Sequence, residues 1–208
     1  MVMRRELKEN LKDTKKTLLE LKKILDQADI KFWLTCGTLL GAVRNHDFIP
    51  YDDDIDLIVL AGDWNSKIFS KLEIAGFRPI FRKIQTKKTV YTKKRGIPID
   101  LFLYYYYFPA DSFVFPRKCH DPKFREIPRN LLEKETFIKF LGEKFRIPYE
   151  SVKLLTSMYG SSWKTPQKKY ESSWREQRIF QPIIKDKLEK WIAKHPKESM
   201  RGLKSNAS

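Results

Sequence analysis

Asp47-Phe-Ile-Pro-Tyr-Asp-Asp-Asp-Ile-Asp56 runs without a break into Leu57-Ile-Val-Leu60. Half of the first ten residues are acidic, in a chain with 42 basic and 26 acidic residues and a formal charge of +16. Ile55–Leu60 reads as an almost unbroken apolar strand, as expected for a sheet covered on both faces. Strand side chains alternate, so Asp54 and Asp56 point the same way, with Cα atoms about 6–7 Å apart. Asp52 joins them if the extended geometry begins early. Carboxylates this close repel one another unless a cation lies between them or one takes up a proton. Hard oxygen donors suit Mg²⁺ or Mn²⁺, ions that also recruit phosphate oxygens.

Two neighbouring stretches extend the pattern. Gly96-Ile-Pro-Ile-Asp100-Leu-Phe-Leu is an apolar strand carrying one acid. A lone carboxylate there is costly unless paired. Either a neighbouring strand brings it to the same metal site, or a base such as Arg95 pairs with it. Upstream, Trp33-Leu-Thr-Cys-Gly37-Thr38-Leu-Leu-Gly41 places a glycine and a hydroxyl after a strand and before a helix. Free N–H groups at such a turn can hold a phosphate.

The remaining chain reads as alternating elements. Residues 4–28 lack glycine and proline, and Leu7, Leu11, Leu18, Leu21, Leu25 and Ala28 form one helical stripe. Residues 30–35 read as a strand and Thr38–Arg44 as a helical segment. A helix follows with Asp63 as N-cap, ending near Ala75 at Gly76. Residues 77–84, 88–93 and 97–106 read as further strands. Beyond residue 109 prolines recur, and 130–145 and 149–159 are the expected helices. The expected architecture is α+β: a mixed sheet flanked by helices, with a mostly helical C-terminal part. The expected organisation is a core over 1–108, a helical part over 109–198 packed on it, and a flexible tail over 199–208.

The order of strand, Gly-Thr turn, Asp-x-Asp strand and single-Asp strand resembles the nucleotidyltransferase fold. More closely, Gly37-Thr-Leu-Leu-Gly-Ala-Val-Arg44 followed by Ile49-Pro-Tyr-Asp-Asp-Asp-Ile-Asp56 resembles the LicD/fukutin family of phosphoryl-substituent transferases. Tyr51 stands where that family usually has tryptophan. Asp100 in Ile-Asp-Leu-Phe matches its third acidic strand. Ile147-Pro148 and Tyr159-Gly-Ser-Ser-Trp163 resemble later elements, with Ser161 where an aspartate is usual. The resemblance implies a transferase moving phosphocholine, or a phospho-alditol, from a CDP-activated donor such as CDP-choline or a CDP-alditol. The implied acceptor is a hydroxyl of a cell-surface glycan (lipopolysaccharide or teichoic acid) or its lipid-linked precursor. CMP leaves.

Within that chemistry Asp54 and Asp56 are expected metal ligands. Asp100 is either a shared ligand or the base that takes the acceptor's proton. Asp52 is an additional ligand or a group behind the ligands. Gly37 and Thr38 are expected on the donor phosphate, and Arg44 is a candidate clamp on the diphosphate. Residues 81–95 carry Arg82, Lys83, Lys87, Lys88, Lys93, Lys94 and Arg95 with no acid. They either steer an anionic ligand or form the solvated face of a hairpin. The tyrosines of 101–108 either line a sugar pocket or pack in the core.

Composition narrows the alternatives. Hydrophobic content of 41% and aromatic content of 13% exclude a disordered chain. Cys36 and Cys119 have no zinc or disulfide spacing. With no signal-peptide pattern and no apolar run near 18 residues, the expected location is the cytoplasm, with peripheral contact at an anionic inner membrane surface. The charge leaves two rivals. One is a template-independent nucleotidyltransferase moving NMP to RNA, protein or a small molecule. The other is a non-catalytic basic module binding nucleic acid, a partner the acidic set disfavours.

Overall fold

The computed structural model describes residues 2–50, 52–65, 67–84, 87–115, 125–166 and 185–200. Tyr51, Cys119 and most of the expected 199–208 tail lie outside the described residues. So do the side chains of Arg82, Lys83, Lys87 and Lys88.

In chain order the elements are α1 (Val2–Gln27), β1 (Phe32–Leu34), α2 (Cys36–Leu40), β2 (Ile55–Leu60), α3 (Lys67–Ile74), β3 (Ile80–Ile84), β4 (Lys87–Lys94) and β5 (Ile97–Tyr107). They continue with β6 (Ser112–Phe115), β7 (Arg125–Pro128), α4 (Arg129–Glu133), β8 (Phe137–Phe140), β9 (Glu143–Arg146), α5 (Ser151–Tyr159), α6 (Lys185–Lys194) and α7 (Pro196–Ser199). A π-helical turn over Gly41–Asn45 extends α2. The main sheet runs β1-β2-β5-β4-β3, and the far end of β5 pairs with β6, which pairs with β7. β2 and β5 are parallel; every other pair in that sheet is antiparallel. This is the expected mixed sheet flanked by helices.

The strand period of two divides the core. Ile55, Leu57 and Val59 of β2 and Ile99, Leu101 and Leu103 of β5 face Leu18, Leu21 and Leu25 of α1 and Ile68 and Leu72 of α3. Those three α1 leucines are fully buried, each contributing roughly 1.5–3 kcal/mol of apolar burial. The opposite face, with Trp33, Ile58, Leu60, Tyr104 and Tyr106, is covered by Phe113, Phe115, Ile127, Leu131 and Leu132. The tyrosine run is therefore core packing: Tyr104 and Tyr106 lie in this second cluster, and Tyr107 sits edge-on to Trp191 of α6.

Two local expectations are corrected. α3 begins at Lys67, not at Asp63, because the Asn65 side chain accepts the Lys67 N–H at 3.1 Å. Gly76 does close α3, at φ 80°: the Phe77 N–H reaches Leu72 O and the Gly76 N–H reaches Glu73 O, at 2.9 and 2.8 Å. The expected 130–145 helix is instead the single turn α4 followed by the β8–β9 hairpin. Among the described residues the C-terminal part is thus less helical than expected, since β6 and β7 extend the main sheet. At the hairpin tip Leu141 and Gly142 both have positive φ, 52° and 84°, the backbone of a two-residue type I′ turn. Among the described residues no helix is long and apolar enough to cross a membrane.

Candidate active site

The parallel pairing of β2 with β5 sets Asp56 directly opposite Asp100. Asp54, one period back from Asp56, faces the same side. Ligand oxygens of Asp54, Asp56 and Asp100 all lie within 4.8 Å of one another. Asp56 is buried, 8% exposed, at the end of the aromatic face of the sheet. Burial is the main cause that raises the Asp54 carboxyl above its usual range, and the charges of Asp53 and Asp100 add to it. Arg95 does not pair with Asp100. It forks onto Glu20 of α1 at 2.7 and 3.0 Å.

The Gly-Thr turn fixes Asp56 by its backbone. The buried Thr38 hydroxyl accepts the Asp56 N–H at 3.0 Å, and the Thr35 N–H donates to the Asp56 carbonyl at 3.2 Å. Gly37 makes room for Asp52: a Cβ at Gly37 would lie 2.3 Å from Asp52 Oδ2. That oxygen is buried with no hydrogen-bond partner among the described residues. Burial, then the charges of Asp54 and Asp53, push the Asp52 carboxyl up to about 7. Asp52 thus lies against the glycine turn, close enough to Asp54 for their charges to interact. Arg44 donates to Trp163 O at 3.1 Å and to Asn45 Oδ1 at 2.7 Å, joining the π-helical turn to the Tyr159–Trp163 segment. Asp47 is turned away from the trio and forms an ion pair with Lys15 of α1 at 2.6 Å.

Some of the positioning residues escape a reading of the sequence. Phe48 in the acidic loop packs on Phe140 of the β8–β9 hairpin at a centroid distance of 5.3 Å, and Phe140 on Phe145 at 5.7 Å. Leu141-Gly142 was the local signal for that hairpin. Gly41 admits the loop backbone, since a Cβ there would lie 2.7 Å from Asp47 O. Lys15 sits 32 residues from Asp47 and gives no local signal.

The LicD/FKTN/FKRP nucleotidyltransferase-domain model matches residues 29–150, a span that includes Gly37, Thr38, Arg44, Asp52, Asp54, Asp56 and Asp100. The chain belongs to that family. This LicD/FKTN/FKRP-family chain is 28% identical over 162 residues to ribitol-5-phosphate transferase FKTN of Homo sapiens, covering 75% of this chain and 34% of that protein. It is 29% identical over 177 residues to the Mus musculus protein of the same name, covering 82% and 36%. An uncharacterized protein of Rickettsia typhi is 32% identical over 91 residues, covering 44% and 28%. The chain spans about a third of the length of the FKTN relatives. The solution structure of the antibiotic-resistance factor ANT(2'')-Ia superposes with a TM-score of 0.50 at 13% identity, over 79% of this chain and 82% of that one. The family and this superposition agree on a nucleotidyltransferase fold.

Proposed function

We propose that the protein transfers a phosphorylated substituent, a phospho-alditol or phosphocholine, from a CDP-activated donor to a hydroxyl of a glycan or its lipid-linked precursor, with the help of Mg²⁺ or Mn²⁺. The observation that carries this reading is the convergence of Asp54, Asp56 and Asp100 from two register-matched strands. Membership in the family supports the class of reaction, and the FKTN relatives are named for transfer of ribitol 5-phosphate.

The donor set fits a divalent cation, being three hard oxygen ligands of which one is buried and one has its proton affinity raised, chiefly by burial and further by the charges of its neighbours. Asp54, Asp56 and Asp100 would hold the ion, which when bound neutralises charge on the transferred phosphorus and the leaving phosphate. Thr38 and Thr35 keep the Asp56 backbone in place. The Gly37 turn and Asp52 close the site on one side. Asp100 takes the acceptor hydroxyl's proton if its carboxylate is not fully engaged as a ligand. Arg44, held at Trp163 O, is the candidate clamp on the diphosphate.

Incubation with CDP-ribitol or CDP-choline, a panel of free oligosaccharides and Mg²⁺ or Mn²⁺ tests this reading by CMP release. CMP should appear with metal and vanish with EDTA or in Asp56→Asn. Pyrophosphate released from an NTP, with no CMP from either donor, would replace the reading with NMP transfer.

A further inference from the structure

The row of side chains holding Asp56 and Asp100 continues past β5. Asp100 is paired with Tyr91 of β4, and Tyr91 with Ile80 of β3. Alternation along β4 fixes the direction of Tyr91. Val90 and Thr92 are fully buried, Val90 within the cluster that α1 and α3 cover. Lys94 reaches Glu20 of α1 at 2.6 Å and lies over the Phe77 ring. Tyr91 and Lys93 therefore face the carboxylate side, where directly opposed side chains have Cβ atoms about 4.5–5.5 Å apart. Tyr91 is partly buried, Lys93 is exposed, and Ile80 is 52% exposed. The strand thus presents Tyr91 beside the acids.

In the other direction along the sheet the row is closed. Trp33, Thr35 and Thr38 are buried at 1%, 3% and 0% exposure. A ligand that extends from the carboxylates along the sheet surface in the direction of β4 meets Tyr91.

We infer that the Tyr91 ring is the stacking surface for the nucleobase of the donor, with Lys93 beside it for the nucleotide's negative charge; this rests on the nucleotide-donor reading above. A nucleotide brings a flat ring and an anion together, which matches an aromatic ring and a lysine on alternate positions of one strand. A neutral sugar needs only the ring. Base–aromatic stacking is worth about 1–3 kcal/mol per base, so its loss weakens binding by about five- to 150-fold.

Calorimetry with Mn²⁺ plus CMP, and with Mn²⁺ plus inorganic pyrophosphate, tests the assignment in the full chain and in Tyr91→Ala, Tyr91→Leu and Tyr91→Trp. Tyr91→Ala and Tyr91→Leu should lose CMP affinity by that factor while keeping pyrophosphate affinity, and Tyr91→Trp should retain both. Tyr91→Leu keeps the apolar bulk and decides the matter if the alanine variant fails to fold. Unchanged CMP affinity in a folded variant, or an equal loss of pyrophosphate affinity, overturns the inference. Wild-type protein that binds Mn²⁺–pyrophosphate but not CMP overturns the inference and spares the metal site. Wild-type protein that binds neither overturns the donor reading as well.

Discussion

Asp52→Asn removes a charge while keeping the shape that fills the space against Gly37. The Asp52 carboxyl titrates near 7 in the fold against an ordinary value of 3.8, chiefly because it is buried and secondarily because Asp54 and Asp53 repel its charge. A raised acid binds its proton more tightly folded than unfolded. Stability of the metal-free protein is then greatest near the ordinary value and falls as pH rises from about 4 to 7. At about 1.4 kcal/mol per tenfold change in proton affinity, the ionised carboxylate destabilises the fold by about 4 kcal/mol at most. Relaxation and partial hydration reduce this, and about 1–3 kcal/mol is the expected gain from Asp52→Asn at pH 8.5. For a chain of this length that corresponds to a rise of roughly 3–10 °C in Tm. Thermal unfolding in EDTA at pH 8.5 and pH 5 measures it. The variant should be the more stable at pH 8.5, and the gap should shrink to roughly a third at pH 5, since it closes fully only below about pH 4, where the carboxyl is protonated folded and unfolded alike. Equal stability at pH 8.5, or a gap of the same size at both pH values, would refute the burial argument.

Three further outcomes follow from the same geometry. Gly37→Ala places a methyl 2.3 Å from Asp52 Oδ2; Asp52 must shift, and donor turnover should fall by at least about tenfold while circular dichroism stays native, an argument by misplacement of site groups. Thr38→Val leaves the buried Asp56 N–H without its acceptor, at a cost of about 1–3 kcal/mol in chemical denaturation. Glu20 is held down to about 2, against an ordinary 4.5, first by Arg95 and also by Lys94. Its contribution is complete above pH 4.5 and fades as pH falls towards 2. Because Glu20 is partly exposed, Glu20→Gln should cost roughly 0.5–1 kcal/mol at pH 7 and nothing near pH 2, as urea unfolding at the two pH values would show.

The acidic stretch made the centre of the fold legible, because charge set into an apolar strand is costly without a purpose. Asp54, Asp56 and Asp100 could be placed on one face from strand alternation, and the topology needed only β2 beside β5. The α1 stripe was equally legible, since Leu18, Leu21 and Leu25 repeat at helical spacing. What escaped was long-range or short-period. The β8–β9 hairpin has four-residue strands whose apolar residues also fit a helix, and only Leu141-Gly142 marks the turn. The bond from the Asp56 N–H to the Thr38 hydroxyl gave no local signal, because it depends on α2 meeting β2. Tyr91 sat in a lysine-rich run and gained meaning only when the register set it beside Asp100.

Titrating the metal-free protein with Mn²⁺ by calorimetry or electron paramagnetic resonance, beside Asp54→Asn and Asp100→Asn variants of native circular dichroism, tests the central claim. The account predicts saturable Mn²⁺ binding by the wild type and its loss in both variants. Wild-type protein that binds no Mn²⁺, or variants that bind it as the wild type does, would contradict it.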